Sequence, residues 1–201
     1  NFLTQGYNDE GLLDAFNTQM SIAAANIVYL RIKFLAELEK IASIKHKTVS
    51  NGEILSFCYE SDIPDGFGLK ELCEFIYDKL CKIKDDEIRR AQCLFGPHRD
   101  DISFFINDVD AKKYASQGQQ RTLVLALKLA ELDIIKEKTG EEPVLLLDDV
   151  LAELDNVRQN YLLRAIGENT QTIITSVDTL AFDEEFLSDV DIVNISQGQI
   201  V

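Results

Sequence analysis

Apolar residues recur at three- and four-residue steps from Asp9 to Lys47. Leu12, Leu13, Phe16, Met20, Ala23, Ile27, Leu30, Phe34, Leu38 and Ile41 fall on one stripe, the period of a long helix or of two with a break. Ala23–Ala25 would let another helix approach closely. Residues 1–8 read as a polar lead-in, Asn51–Gly52 as a turn, and Ile54 to Tyr59 as a short strand. Pro64, Gly66 and Gly68 mark a loop. A second helical stretch follows over 69–92, with Leu69, Leu72, Phe75, Ile76, Leu80, Ile83 and Ile88 on its apolar face. The two helical stretches are expected to pack as an antiparallel pair or small bundle.

The pattern changes at Cys93. Ile102 to Ile106 reads as a strand, Asn107 to Asp110 as a turn, and Ala111 to Tyr114 as the return strand of a hairpin. A helix is expected from Gln119 to about Lys138, ended by Lys136, Lys138 and Gly140. The run Val144–Leu147 suits a strand buried on both faces. Asp155 then caps a helix to about Ile166, Thr172 to Ser176 is a further buried strand, and Val190 to Ile195 another, with a tight turn over Ser196–Gln199. These elements make the second half α/β, with helices covering a largely parallel sheet. The expected division is a mainly helical domain over 1–92 and an α/β lobe over 93–201.

Composition narrows the function. The chain has 201 residues and a net charge of −15, of which −4 falls in residues 1–100 and −11 in 101–201. Such a surface repels nucleic-acid phosphates over most of its area. DNA binding by this chain alone is therefore not expected. Arg31, Lys33, Lys40, Lys45 and Lys47 on the first helical stretch form either a solvated face or a local basic patch. Cys58, Cys73, Cys81 and Cys93 show neither a CxxC spacing nor a nearby His, which points to reduced thiols in a cytoplasmic protein. No apolar window is long enough to span a bilayer. Asn1 stands where an initiator Met would, as in a piece of a longer chain.

Two stretches carry candidate chemistry. Asp148 and Asp149 end the apolar run, an acid pair at the carboxyl end of a buried strand, where ligands sit in open α/β sheets. Either Mg2+ with nucleotide phosphates compensates them, or they form a solvated, helix-capping turn. In S-Q-G-Q-Q-R, Ser116 to Arg121, a hydroxyl, a glycine and a helix start meet. That combination is either an anion site suited to phosphate or an ordinary cap with a flexible glycine.

The order of these stretches resembles a known arrangement. S-Q-G-Q-Q-R-T looks like the signature motif of ABC-type ATPases, V-L-L-L-D-D like a Walker B strand, and L-A-E-L-D (Leu151 to Asp155) like the D-loop after it. G-P-H-R-D-D, Gly96 to Asp101, narrows the likeness to the RecF family of SMC-related DNA replication and repair ATPases. The likeness is strong over 90–180, and before that lies in placement and pattern. It implies the carboxy-terminal lobe of an ABC-type ATPase head preceded by a mainly helical arm.

The resemblance also implies roles. Asp148 would hold Mg2+ through its water shell, and Asp149 would polarise the attacking water, a place where ABC ATPases usually have Glu. Ser116, Gln117, Gly118 and Gln119 would meet the γ-phosphate of ATP bound to the opposite subunit. Asp155 would order the dimer interface. The switch His of ABC proteins is replaced in I-T-S, so that either Thr175 or Ser176 fills that place or it is empty. His98 and Arg99 suggest a charge network with Asp100 or Asp101.

No G-x-x-x-x-G-K-[ST] occurs, so the Walker A loop is absent from these 201 residues. The family implication is a weak ATPase in the full-length, ATP-dependent homodimer, inactive in this chain alone. The family binds gapped DNA or single-strand/double-strand junctions and works with RecO and RecR in loading recombinase. The alternatives are another SMC-like ABC ATPase, or a non-enzymatic interaction module whose acid pair only caps a strand.

Overall fold

In the computed structural model of the chain, the described residues are 10–50, 52–148, 155–165, 170–179, 182, 184–188 and 190–201. The polar lead-in over 1–8, Asn51, Asp149, residues 151–154 and Ile166 lie outside them. By packing, the chain divides into two units, Asn1–Ala130 and Glu131–Val201.

In the first unit, α1 (Glu10–Val49) is one unbroken helix of 40 residues. It packs against α2 (Leu69–Arg90) through Ala24, Ala25 and Val28, which meet Leu72, Ile76, Leu80 and Phe95. The small side chains allow close approach, as their run suggests. The buried face is nonetheless offset from the stripe read in the sequence. Asn17, Ser21, Ala24, Ala25, Val28, Leu35, Ala42, His46 and Val49 are buried, whereas Phe16, Ile27, Leu30 and Phe34 are exposed. Apolar residues occupy much of the circumference of α1, so side-chain size rather than hydropathy selects the face that meets α2.

Strand β1 (Leu55–Glu60) pairs antiparallel along its whole length with β2 (Asp101–Ile106), from Leu55↔Ile106 to Glu60↔Asp101. Thus a strand of the 1–92 segment and one of the 93–201 segment share a sheet. On the far side of β1, α1 supplies the partners that an edge strand lacks. Glu39 accepts the Phe57 N–H at 2.8 Å, and Ser43 donates to the Leu55 carbonyl at 2.8 Å.

The return strand β3 is only Val109–Asp110, paired with Phe105 and Ile106. Ala111–Tyr114, expected to continue it, is instead a helical turn, α3. The Asp110 carboxylate accepts from the N–H groups of Lys112 and Lys113, and this cap favours a helix start over ladder pairing. α4 (Gln117–Thr139) follows and contributes Leu123 and Ala130 to a core with Ala42, Leu55, Ile106 and Ala111.

In the second unit, β4 (Leu145–Asp148) and β5 (Thr172–Thr175) form a parallel pair, flanked in sequence by α5 (Asn156–Ala165) and α6 (Glu184–Ser188). β4 is not covered on both faces as expected. Leu147 is buried, but Leu146 and its partner Ile173 are 68% and 53% exposed. Among the described residues no further strand joins this pair. The strand expected over 190–195 is also absent: residues 191–194 are irregular. Only Ile195–Ser196 (β6) pairs, with Gln199–Ile200 (β7), through a turn in which Gln197 and Gly198 both have positive φ. An extended segment becomes a strand only where a ladder partner meets it. No helix among the described residues is long and apolar enough to cross a membrane.

The offset of α1 has a measurable consequence. In urea denaturation, Ile76→Ala, which empties a site in the α1–α2 seam, is expected to cost about 2–5 kcal/mol. Leu30→Ala, at an exposed position on the sequence-derived stripe, is expected to cost under about 1 kcal/mol. Equal losses would return the packing seam to that stripe.

Candidate functional site

The helix start at Ser116 is built as a reciprocal capping box. Ser116 Oγ accepts the Gln119 N–H at 3.2 Å, and Gln119 Oε1 accepts the Ser116 N–H at 2.9 Å. Thr122, fully buried, donates its hydroxyl to the Gly118 carbonyl at 2.8 Å. The N–H groups of Gln117 and Gly118 have no partner within a helix turn, since they precede the first i−4 carbonyl. Ser116 and Gln117 are exposed and Gly118 is half-buried. Because Ser116 Oγ accepts from Gln119, its own hydroxyl proton is left to donate outward. The side chain of Gln119 has both ends of its amide in use: Nε2 donates to Glu53 Oε1 at 2.7 Å. The first unit thus presents an exposed, uncharged helix start, the chemistry that an anion site would need.

His46 is fully buried in the last turn of α1, near Glu53. Its Nδ1 is 3.4 Å from Ser50 Oγ, and its Nε2 has no hydrogen-bond partner among the described residues. Burial pushes its pKa below the ordinary value of 6.5, partly opposed by the Glu53 main chain and carboxylate.

The G-P-H-R-D-D segment is a structural loop rather than the charge network read from the sequence. Gly96 has φ +138°, and a Cβ there would meet the His98 ring at 3.2 Å. Arg31 on α1 donates to the Pro97 carbonyl at 2.5 Å, and Arg99 to the Cys93 carbonyl at 3.0 Å. Asp100 instead accepts the Tyr59 hydroxyl. Burial, with that carboxylate second, raises the Tyr59 pKa to about 12. Asp101 is 3.8 Å from Lys112 Nζ. Of the cations on α1, Arg31 is therefore committed to this loop, and Lys33 lies 4.3 Å over the Tyr29 ring.

The second unit brings together two of the predicted residues. Asp148 and Thr175 are register partners at the carboxyl ends of β4 and β5, and Thr175 Oγ1 donates to Asp148 Oδ1 at 2.5 Å. Asp148 is exposed, at the edge where a ligand would meet a parallel pair. Asp155 heads α5: its carboxylate accepts the Arg158 N–H at 3.0 Å and pairs with the Arg158 guanidinium. Asp149, the candidate general base, lies outside the described residues. Sequence reasoning missed Glu53 and Tyr59, since neither sits in a motif and their partners are 66 and 41 positions away.

A helix start of the signature type and an acid at the end of a parallel strand, after a two-helix arm, define a class. It is the carboxy-terminal lobe of an ABC-type ATPase head preceded by a mainly helical arm. No family model matches the chain. It is 42% identical over 196 residues to the DNA replication and repair protein RecF of Bacillus velezensis, covering 96% of this chain and 53% of that protein. It is 40% identical to its counterpart in Bacillus subtilis, over 98% and 54%. A solved structure of the recombination mediator protein RecF with ATP superposes with a TM-score of 0.84 at 33% identity, covering all of this chain and 53% of that one. In sequence and fold the chain is RecF-like and corresponds to the carboxy-terminal portion of RecF. It spans about half the length of the curated relatives it matches.

The lowered pKa of His46 sets a pH dependence. The unfolded chain takes up a proton near pH 6.5 and the folded one only at lower pH, so stability falls as pH drops through that range. Urea melts from pH 7.5 to 5 are expected to show this loss, and His46→Leu to flatten it. An unchanged slope in the variant would assign the loss to other groups.

Proposed function

We propose that this chain is the arm and signature lobe of a RecF-type repair protein that binds ATP between two head-to-head copies. The arm would be residues 1–92 and the lobe 93–201, with Walker A supplied by the half of the relatives that the chain does not span. The observation that carries this reading is the occurrence, in one chain, of an outward-facing Ser116 cap and of Asp148 at the carboxyl edge of a parallel pair. RecF relatives match both segments within one alignment spanning nearly the whole chain.

In this reading Ser116, Gln117 and Gly118 donate to the γ-phosphate of nucleotide held by the partner copy. They add negative-charge stabilisation without a formal cation. Asp148 and Thr175 offer one exposed carboxylate and a hydroxyl, a donor set that suits a Mg2+ ion keeping most of its waters and phosphate oxygens. When bound, Mg2+ would neutralise phosphate charge. Thr175 orients the Asp148 carboxylate, so the place of the switch His serves the acid rather than the phosphate. Asp149 takes a proton from the attacking water. Asp155 heads the helix after the D-loop, and its bond to Arg158 keeps that turn in one shape at the subunit boundary.

DNA, in gapped or junction form, would be met by the assembled dimer, with RecO- and RecR-type partners, in the cytoplasm. The solved relative is a recombination mediator of the RecFOR pathway, which supports that direction. The chain's net charge of −15 argues that most DNA contacts lie outside it.

Light scattering on the complete protein with and without Mg-ATP tests this. ATP is expected to dimerise the unaltered protein and not Ser116→Arg, whose guanidinium would occupy the phosphate position. Asp149→Asn is expected to dimerise yet lower ATP turnover by about 100-fold or more. Dimerisation that ignores ATP would favour the interaction-module reading.

A further inference from the structure

We infer that Glu53 is a positioning residue for the signature turn: its carboxylate holds the Gln119 amide, which in turn holds Ser116. This rests on the reading of Ser116 as a phosphate contact. The carboxylate is half-buried and accepts from Gln119 Nε2 at 2.7 Å across 66 positions of sequence. That bond fixes the amide orientation, so Oε1 must face the Ser116 N–H, where it accepts at 2.9 Å. With the Ser116 N–H taken, the cap cannot rotate away, and Oγ stays in place over the Gln119 N–H.

Glu53 is itself well held. The next residue, Ile54, donates its N–H to Asn107 Oδ1 at 2.9 Å, and its carbonyl accepts the Asn107 N–H at 2.8 Å. Asn107 sits in the β2–β3 turn with φ 50°. On its other side Glu53 lies beside the buried His46 at the end of α1. The acid thus stands where the arm helix, the hairpin turn and the signature helix converge, all within the first unit. A shift at the end of α1 would reach Ser116 through two hydrogen bonds. Gln119 is accordingly a positioning residue too, its amide being spent within the chain.

The test uses the complete protein and reads ATP-dependent dimerisation by light scattering across a concentration series. Binding of a fluorescent ATP analogue to the monomer is the control. Glu53→Ala is expected to weaken the dimer about tenfold. Glu53→Gln, which keeps an acceptor oxygen, is expected to recover most of that loss. Glu53→Ala combined with Gln119→Ala is expected to be no worse than Gln119→Ala alone. Monomer binding should be unchanged, because the signature acts on the partner's nucleotide. The inference is overturned if Glu53→Ala dimerises normally while Ser116→Arg does not, which leaves the phosphate reading intact. It is also overturned if Glu53→Gln is as poor as Glu53→Ala, or if monomer binding falls in step, either of which marks a general folding role. If Ser116→Arg dimerises with ATP, the phosphate reading fails and this inference with it.

Discussion

Pairing between β1 and β2 governs where everything in the first unit stands. Both strands carry main-chain groups that must be satisfied once buried, and each meets that need with the other along all six residues. The remaining edge of β1 is closed by Glu39 and Ser43 of α1, which locks the arm helix to the sheet. The far end of β2 turns through Asn107 into β3, and Asp110 starts the helical turn that delivers the chain to Ser116. Hydrophobic contact alone would leave this path free to slide, since apolar packing is not directional. The hydrogen bonds give it a register, and through that register a phosphate-type helix start acquires a fixed address.

The second unit is built on a different principle, and its described residues meet that principle only in part. Parallel strands occur almost only with both faces covered. Here Leu147 is covered, while Leu146 and Ile173 lie open on the opposite face. Ile192, Val193 and Ile195 are also more than half exposed. Among the described residues the parallel pair has an open face, and the chain spans about half the length of its RecF relatives.

Much of this was legible in the sequence, for reasons that differ by element. The positions of α1, α2, β1, β2, α4, β4 and β5 followed from apolar spacing and stop signals, which are local. The helix after Ser116 was recognisable from its apolar spacing and from the hydroxyl and glycine at its start. Most of what failed was decided at a distance, and one element failed on a local cap. The buried face of α1 depended on which side chains were small enough for Leu72, Ile76 and Leu80 to approach. Ala111–Tyr114 became helical because Asp110 found its own N–H partners. The stretch before Ile195 lacks a ladder partner, a fact its β-branched residues cannot announce. Glu53 is one acid in an acidic chain until the fold places it against Gln119.

On the proposed reading, the charge of the chain gives a reason for a neutral signature held tightly in position. In the proposed dimer, two copies of this chain at −15 each would repel, and the nucleotide between them would add further negative charge. A lysine in the signature would attract phosphate, but also the partner's acids whether or not nucleotide was present. Main-chain N–H groups and a serine hydroxyl act only at contact distance and only on an acceptor placed along their axes. Attraction through such donors is conditional on a correctly seated acceptor, which is the property that the proposed ATP-dependent dimer requires. Such short-range donors are useful only if they do not wander. That requirement gives physical sense to a cap whose serine, amide and carboxylate are joined in series from the end of the arm helix.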